Sequence, residues 1–369
     1  MNKFKFASAN AAKLARLPLY VAMGMLALVF PRDRHLWVFG RKTGVGEGPL
    51  RLLRMAQRHY PHLRLVWIAQ DHRQYEEARS LGLEAHRTAS WRARWLTLRA
   101  GVGVVTHGMG DLCRPFVPGI HLVQLWHGSP LKRIHLDAPN AQLTGAAGWA
   151  GRAGAWLIGN MFKTSARMIR CIPSPSPRVS ARFQSAWGWR DRTRIRLTGD
   201  PRCDVLLEGD AQSRRKQARQ RLKQLWQVDE LPSRLVLFAP TWRDGEPDPS
   251  LPDTEALRAL QGVLATHDAW LVVRSHPWGV AEGGQAGAPS TALKFLDAFM
   301  LHDVNLVLNA FDVLITDYSA IALDYSLLRR PIVFLAPDLE AYQRTRGLYE
   351  RYETFTGGTW HRDWRGVMA

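Results

Sequence analysis

The sequence predicts an α/β protein made of two Rossmann-like domains facing a cleft. Three observations predict it. Short apolar runs alternate with longer amphipathic ones, the pattern of a parallel sheet with crossover helices. The alternation occurs twice, on either side of a proline-rich stretch. Polar clusters repeatedly follow the apolar runs, and ligands of open α/β sheets bind beyond the carboxyl ends of the strands.

In chain order, the first series offers strands at 36–40 (LWVFG), 64–69 (RLVWIA), 101–106 (GVGVVT), 120–126 (IHLVQLW) and 155–160 (AWLIGN). Amphipathic stretches at 49–60 and 90–100 read as helices between them. The segment 171–180 (CIPSPSPRVS) is too rich in proline for the interior of an element and reads as a break. A second series follows, with strands at 194–199, 234–240, 269–275, 311–317 and 331–336, and helices at 211–226 and 319–330. The expected organisation is an N-terminal segment 1–34, an α/β domain 35–178, a second α/β domain 179–350 and a tail 351–369.

The N-terminal run Leu17 to Phe30 is uncharged, preceded by Lys3, Lys5, Lys13 and Arg16, and closed by Pro31-Arg32-Asp33-Arg34. It is short for a bilayer span, which takes about 20 apolar residues, and it lacks a small-residue cleavage site. Two readings stand: an apolar amphipathic helix lying on the cytoplasmic leaflet, held by burial and by cations meeting anionic lipid, or a buried first helix of the domain.

The 369 residues suffice for two cores, and 46% hydrophobic content excludes a disordered chain. A formal net charge of +18 means the surface seeks anions: nucleic acid, acidic lipid headgroups or a polyanionic substrate. The three cysteines, Cys113, Cys171 and Cys203, show no paired spacing, which argues against zinc and disulfides and for a reducing compartment. No Gly-x-x-x-x-Gly-Lys-Ser/Thr loop occurs, so a P-loop hydrolase is excluded. The glycine-rich 40–48 (GRKTGVGEG) lacks dinucleotide-binding spacing, and the acidic loop 246–253 has no partner set for a metal.

Five polar clusters end strands: His127-Gly128-Ser129-Pro130, Gly199-Asp200-Pro201-Arg202, Thr241-Trp242-Arg243-Asp244, Arg274-Ser275-His276-Pro277 and Asp317-Tyr318-Ser319. His127 is suited to take a proton from an attacking hydroxyl, with Gly128 clearing space for the substrate. His276, made extended by Pro277 and helped by Arg274, reads as a donor to a phosphoryl oxygen or as a structural histidine. Asp317 or Ser319 caps the helix 319–330, whose end Arg329 and Arg330 meet; its N-terminus either binds phosphate or is simply well capped. Lys132 and Arg133 offset phosphate charge or are solvated cations.

Read together, these motifs resemble the CDP-glycerol glycerophosphotransferase family, which builds teichoic acids and related polyol phosphate polymers. The matches run in order: WVFGRKTG (37–44), QLWHGSPLKRI (124–134), TGDPRCDVLL (198–207), FAPTWRDG (238–245), RSHP (274–277) and LITDYSAIALDYSLLRRPIVFLAPDLEAYQRTRGLY (314–349). The resemblance implies a glycosyltransferase-B-like fold with the acceptor on the N-terminal half and CDP-glycerol on the C-terminal half. It places His127 as catalytic base and His276 on the donor pyrophosphate. It further implies donor binding by Pro240, Thr241, Arg243, Arg274, Asp317, Ser319 and Ala320, with Gly128, Arg202 and Asp324 in support. Cys203 stands where the family commonly has asparagine, and the sequence departs from the family pattern after Tyr349.

The implied reaction moves glycerol phosphate to a hydroxyl of an anionic, lipid-linked acceptor at the cytoplasmic membrane surface and releases CMP. Neither a metal nor another cofactor is expected, and CDP-glycerol is the donor substrate. The alternatives are CDP-ribitol or a nucleotide sugar as donor and, ranked lower, nucleic-acid binding, for which no helix-turn-helix, zinc or single-strand signature occurs.

Overall fold

The computed structural model describes residues 17–139, 148–241, 250–274 and 292–369. The chain divides into two compact units. One holds the described residues up to Gly128 together with Ile134–Cys203, and the other holds Ser129–Arg133 with Asp204–Ala369.

The first unit runs α1 (Leu17–Val29), β1 (Asp33–Gly40), α2 (Glu47–His59), β2 (Arg64–Ala69), α3 (His72–Ser80), β3 (Glu84–Arg87), α4 (Trp91–Arg99), β4 (Ala100–Val105), β5 (His121–Gln124), α5 (Gly148–Met168), β6 (Ile169–Ser174), α6 (Pro177–Ala186) and β7 (Ile195–Leu197). Its seven strands are ordered β3-β2-β1-β4-β5-β6-β7, all pairings parallel. The strand order therefore reverses between β1 and β4, the switch point at which doubly wound sheets open a crevice. Central strands are buried on both faces, as β2 shows with Leu65, Val66, Trp67, Ile68 and Ala69 at 8% exposure or less.

The second unit runs α7 (Asp204–Leu207), α8 (Ala211–Trp226), β8 (Arg234–Ala239), α9 (Thr254–Thr266), β9 (Ala269–Val273), β10 (Leu293–Phe295), β11 (Val313–Thr316), α10 (Ile321–Ser326), β12 (Ile332–Phe334), α11 (Leu339–Thr345), α12 (Tyr352–Thr356) and α13 (Trp364–Met368). Its parallel sheet is ordered β10-β9-β8-β11-β12, with the reversal between β8 and β11. The short segment Ser129–Arg133 belongs here: Lys132 bridges Leu348, and the amide of Tyr349 donates to the Leu131 carbonyl at 3.0 Å.

Four expectations need correction. The run 155–160 is the middle of α5; its buried Gly154, Ile158, Gly159 and Ala166 recur at helical rather than strand spacing, while Trp156 is exposed. The stretch 171–180 is no break. Pro173 lies in β6 opposite Arg196, and Pro177 takes the first turn of α6, where a missing N–H costs nothing, behind a Ser176 cap. The strand near 194–199 therefore closes the first sheet as β7 instead of opening the second. Finally, the helix expected over 319–330 is the six-residue α10, which Ala320 opens with no side-chain cap. Arg330 does not meet its end but donates to the carbonyls of Asn309 and Phe311.

The N-terminal run does form a helix, α1, but not an amphipathic one. Gly24 and Ala27 are buried, whereas Leu19, Val21, Met25, Leu26, Leu28 and Val29 are exposed. Small residues leave room for Pro118, which a Cβ at Gly24 would approach to 3.3 Å. Among the described residues, no helix is long and apolar enough to cross a membrane.

Candidate functional site

The first unit gathers its chemistry at the carboxyl tips of β1, β4 and β5, three adjacent strands that include the switch point. Beyond β1 stands Arg41, 4% exposed, paired with Glu47 at 2.5 Å and donating to the Thr43 carbonyl at 3.0 Å. Beyond β4 come Thr106, His107 and Asp111; beyond β5 come Trp126, His127 and Gly128.

His127 lies on a tightly constrained turn. Trp126 has φ 63 and Gly128 has φ 136, so both neighbours occupy backbone regions that ordinary residues avoid. Gly128 fits such a position without strain; Trp126 bears a cost of order 1–2 kcal/mol that the surrounding packing must offset. That packing is visible: the Trp126 ring lies 5.1 Å from Trp187, 5.3 Å from His135 and 4.2 Å from His127 itself. Arg202, 8% exposed and paired with Asp200 at 3.2 Å, donates to the His127 carbonyl at 3.2 Å. The expected supporting residues Gly128 and Arg202 thus both adjoin His127.

The His127 Nδ1 atom is 3.4 Å from the Thr106 carbonyl. A carbonyl oxygen only accepts, so this contact puts the ring proton on Nδ1 and makes Nε2 the unprotonated nitrogen of the neutral ring. His107 stacks on His127 with centroids 4.7 Å apart and planes within 9°. Burial, then the charges of His127, Arg41 and Lys42, hold the His107 pKa well below the usual imidazole value.

Asp111 anchors this corner. One carboxylate oxygen accepts from the amides of Thr106 and His107 at 2.7 Å each, and from the Thr106 hydroxyl at 3.3 Å. Its carbonyl accepts from the Gln70 amide at 2.8 Å. Gly40 permits the approach, since a Cβ there would lie 2.0 Å from the Asp111 carbonyl oxygen. Burial raises the Asp111 pKa to about 6 despite these donors.

A pH signature follows. Because its folded pKa exceeds the unfolded value near 3.8, Asp111 favours the fold most when protonated, and that contribution is lost as pH rises through about 6. Asp111→Asn, neutral throughout, is expected to gain stability on the parent by about 2 kcal/mol between pH 4.5 and 7.5. Urea denaturation of both proteins at the two pH values measures it, and a parallel pair of pH dependences contradicts it.

In the second unit, β8 and β11 flank the switch point and their tips are stitched together. Thr241, following β8, donates its amide to both carboxylate oxygens of Asp317 at 2.9 and 3.0 Å, and Tyr318 donates to the same carboxylate at 2.5 Å. Asp317 therefore does not cap a helix; it ties two strand ends. The Tyr352 hydroxyl donates to its carbonyl at 3.3 Å. Pro240 and Thr241 line the end of β8, and Ser319 and Ala320 lead into α10, in which Asp324 is 3% exposed. Arg274, following β9, donates to the carbonyls of Leu296, Asp297 and Leu301 at 3.3, 2.9 and 2.8 Å, so its guanidinium holds the loop after β10. His276 and Arg243 lie outside the described residues.

Sequence reasoning missed His107 and Asp111. The signal was present, because Thr106-His107-Gly108 repeats at the tip of β4 the His-Gly pair that ends β5. Among the described residues, no group of three or more His, Cys, Asp or Glu side chains is arranged to hold a metal ion.

A family model described as CDP-glycerol:poly(glycerophosphate) glycerophosphotransferase matches residues 22–368. The chain belongs to this family. Among relatives of the glycerophosphotransferase family, it is 26% identical over 329 residues to a teichoic acid poly(glycerol phosphate) polymerase of Staphylococcus epidermidis, covering 85% of this chain and 42% of that protein. It is 30% identical over 249 residues to a teichoic acid ribitol-phosphate polymerase, TarK, of Staphylococcus aureus, covering 66% of this chain and 44% of that one. The chain thus spans about half the length, or less, of these curated relatives. In fold it is similar to the wall teichoic acid polymerase TagF, with a TM-score of 0.74 at 23% identity over 98% of this chain and 86% of that one.

Proposed function

We propose that this glycerophosphotransferase-family protein transfers glycerol phosphate from CDP-glycerol to a hydroxyl of a membrane-borne anionic acceptor and releases CMP. The family match across residues 22–368 carries the reading. The acceptor oxygen attacks the β-phosphorus, the bond to the CMP oxygen breaks, and the acceptor proton passes to Nε2 of His127. The Nδ1 contact with the Thr106 carbonyl supports that role by favouring the tautomer whose Nε2 carries no proton.

Donor binding is assigned, on a glycosyltransferase-B-like scaffold, to the strand ends of the second unit: Pro240, Thr241 and Arg243 after β8, Arg274 and His276 after β9, and Asp317, Ser319 and Ala320 after β11. Asp317 acts through the backbone it fixes, and Asp324 supports the turn. Positioning and preformed electrostatics provide most of the acceleration in reactions of this kind. A second donor, CDP-ribitol, is favoured by the similarity to a ribitol-phosphate polymerase. Incubating the protein with CDP-glycerol, CDP-ribitol or a nucleotide sugar and lipid acceptors, with CMP release and product mass as readouts, tests the proposal. Release of UDP alone, or of no nucleotide, overturns it.

The same reading puts α1 on the cytoplasmic leaflet as a peripheral anchor. Its exposed apolar residues support this, as do exposed Trp91 and Trp95, the latter in edge contact with Phe30 at 5.5 Å. Deleting residues 1–30 is expected to reduce co-flotation with vesicles rich in anionic phosphatidylglycerol at least ~10-fold. Undiminished flotation refutes the anchor.

A further inference from the structure

We propose that His107, secured through Thr106 to Asp111, is a positioning residue that holds the His127 ring in one tautomer and supports its positive form. The inference rests on the reading of His127 as base and extends it to a neighbour outside the candidate set.

The geometry supplies a continuous chain. The His107 Nδ1 atom lies 2.8 Å from the Thr106 hydroxyl oxygen, and that hydroxyl donates to Asp111 at 3.3 Å. With its proton committed to Asp111, the hydroxyl accepts from His107 Nδ1–H, which fixes the His107 ring plane. The His127 ring lies nearly parallel to that plane, 4.7 Å away. The Thr106 carbonyl meets His127 Nδ1, so one residue orients both rings.

The charges around the pair favour a single proton on it. Arg41 and Lys42 from the tip of β1 and His127 from the tip of β5 all disfavour a cationic His107, and Asp111 is the nearby carboxylate. On the far side of the turn, Arg202 donates to the His127 carbonyl, and Trp126 touches the His127 ring. His107 therefore presents a neutral aromatic face to a ring that becomes cationic when it takes the acceptor proton. An aromatic face attracts such a cation, whereas a second imidazolium repels it.

The test uses the full chain with 15N-labelled histidine, its His127 signals assigned by comparison with His127→Gln. In the parent, His127 is expected as the Nδ1–H tautomer. His107→Ala should mix the tautomers and lower the His127 pKa by ~0.5 unit or more. His107→Phe keeps the face and should stay nearer the parent in pKa, with unchanged thermal melting guarding against a folding effect. In CMP-release assays His107→Ala should lose ~10-fold in kcat with KM for CDP-glycerol unchanged. An unchanged tautomer and pKa in His107→Ala overturn the proposal, as does an equal pKa loss in His107→Phe. His127→Ala run alongside separates the two ideas: full turnover there sinks the base itself, whereas an inactive His127→Ala beside a normal His107→Ala sinks only the positioning role.

Discussion

His127→Ala is expected to lower turnover of CDP-glycerol by about 10²- to 10⁴-fold, the range that a well-placed general base contributes. Affinity for CDP-glycerol should remain within ~3-fold, because the donor is assigned to strand ends of the second unit. Trp126 also packs on Trp187 and His135, Gly128 holds the turn through its backbone torsions, and Arg202 grips a carbonyl, so the turn keeps these supports without the imidazole. The fold should therefore survive the substitution, and circular dichroism checks that. Single-turnover CMP release and equilibrium donor binding, measured on the same preparation, decide the matter. A variant that binds and turns over like the parent removes His127 from the chemistry.

Asp317→Ala is expected to destabilise the second unit by about 3 kcal/mol or more. The carboxylate is 1% exposed and accepts from the amides of Thr241 and Tyr318. Its removal leaves two buried N–H groups without that acceptor, at about 1–3 kcal/mol each. Asp317→Asn keeps one acceptor oxygen and should lose less than half as much. Because the carboxylate spans the tips of β8 and β11, donor affinity should fall along with stability. Chemical denaturation followed through the second unit, together with CDP-glycerol binding, provides the measurement; a loss under 0.5 kcal/mol contradicts the assignment.

Much of the fold was legible because buried parallel strands write themselves as continuous apolar runs. β1, β2, β4, β5, β8, β9, β11 and β12 all fall where such runs lie. β3 (Glu-Ala-His-Arg) and β10 (Leu-Lys-Phe) escaped because edge strands pair on one side only and tolerate polar residues. β6 escaped because prolines masked it, although Pro173 pairs within the sheet. The misread strand at 155–160 shows the opposite failure: four apolar residues in a row, Ala155 to Ile158, cannot separate a strand from one turn of a helix.

The site was legible where it obeyed the strand-end rule. His127 and Thr241 emerge where apolar runs stop, and that stop is visible in the sequence. Roles that depend on folding back were not visible. Asp317 reads as a helix cap because a short polar residue before a helix usually is one, yet its carboxylate accepts from Tyr318 beside it and from Thr241, 76 positions away in sequence. Arg274 reads as an anion holder, and its grip on three carbonyls of the loop after β10 was not visible in that reading. Sequence spacing reports local geometry, and both residues act over long range.

The excursion of Ser129–Arg133 bears on how this chain can be taken apart. Polypeptide passes from one unit to the other after Gly128, returns after Arg133 and leaves again after Cys203. A fragment starting at Asp204 would lack Leu131, only 1% exposed, and the bridge from Lys132 to Leu348. Neither half is a contiguous piece of gene, so scissors at a single junction would yield two incomplete bodies. Dissection requires circular permutation or a grafted pentapeptide instead.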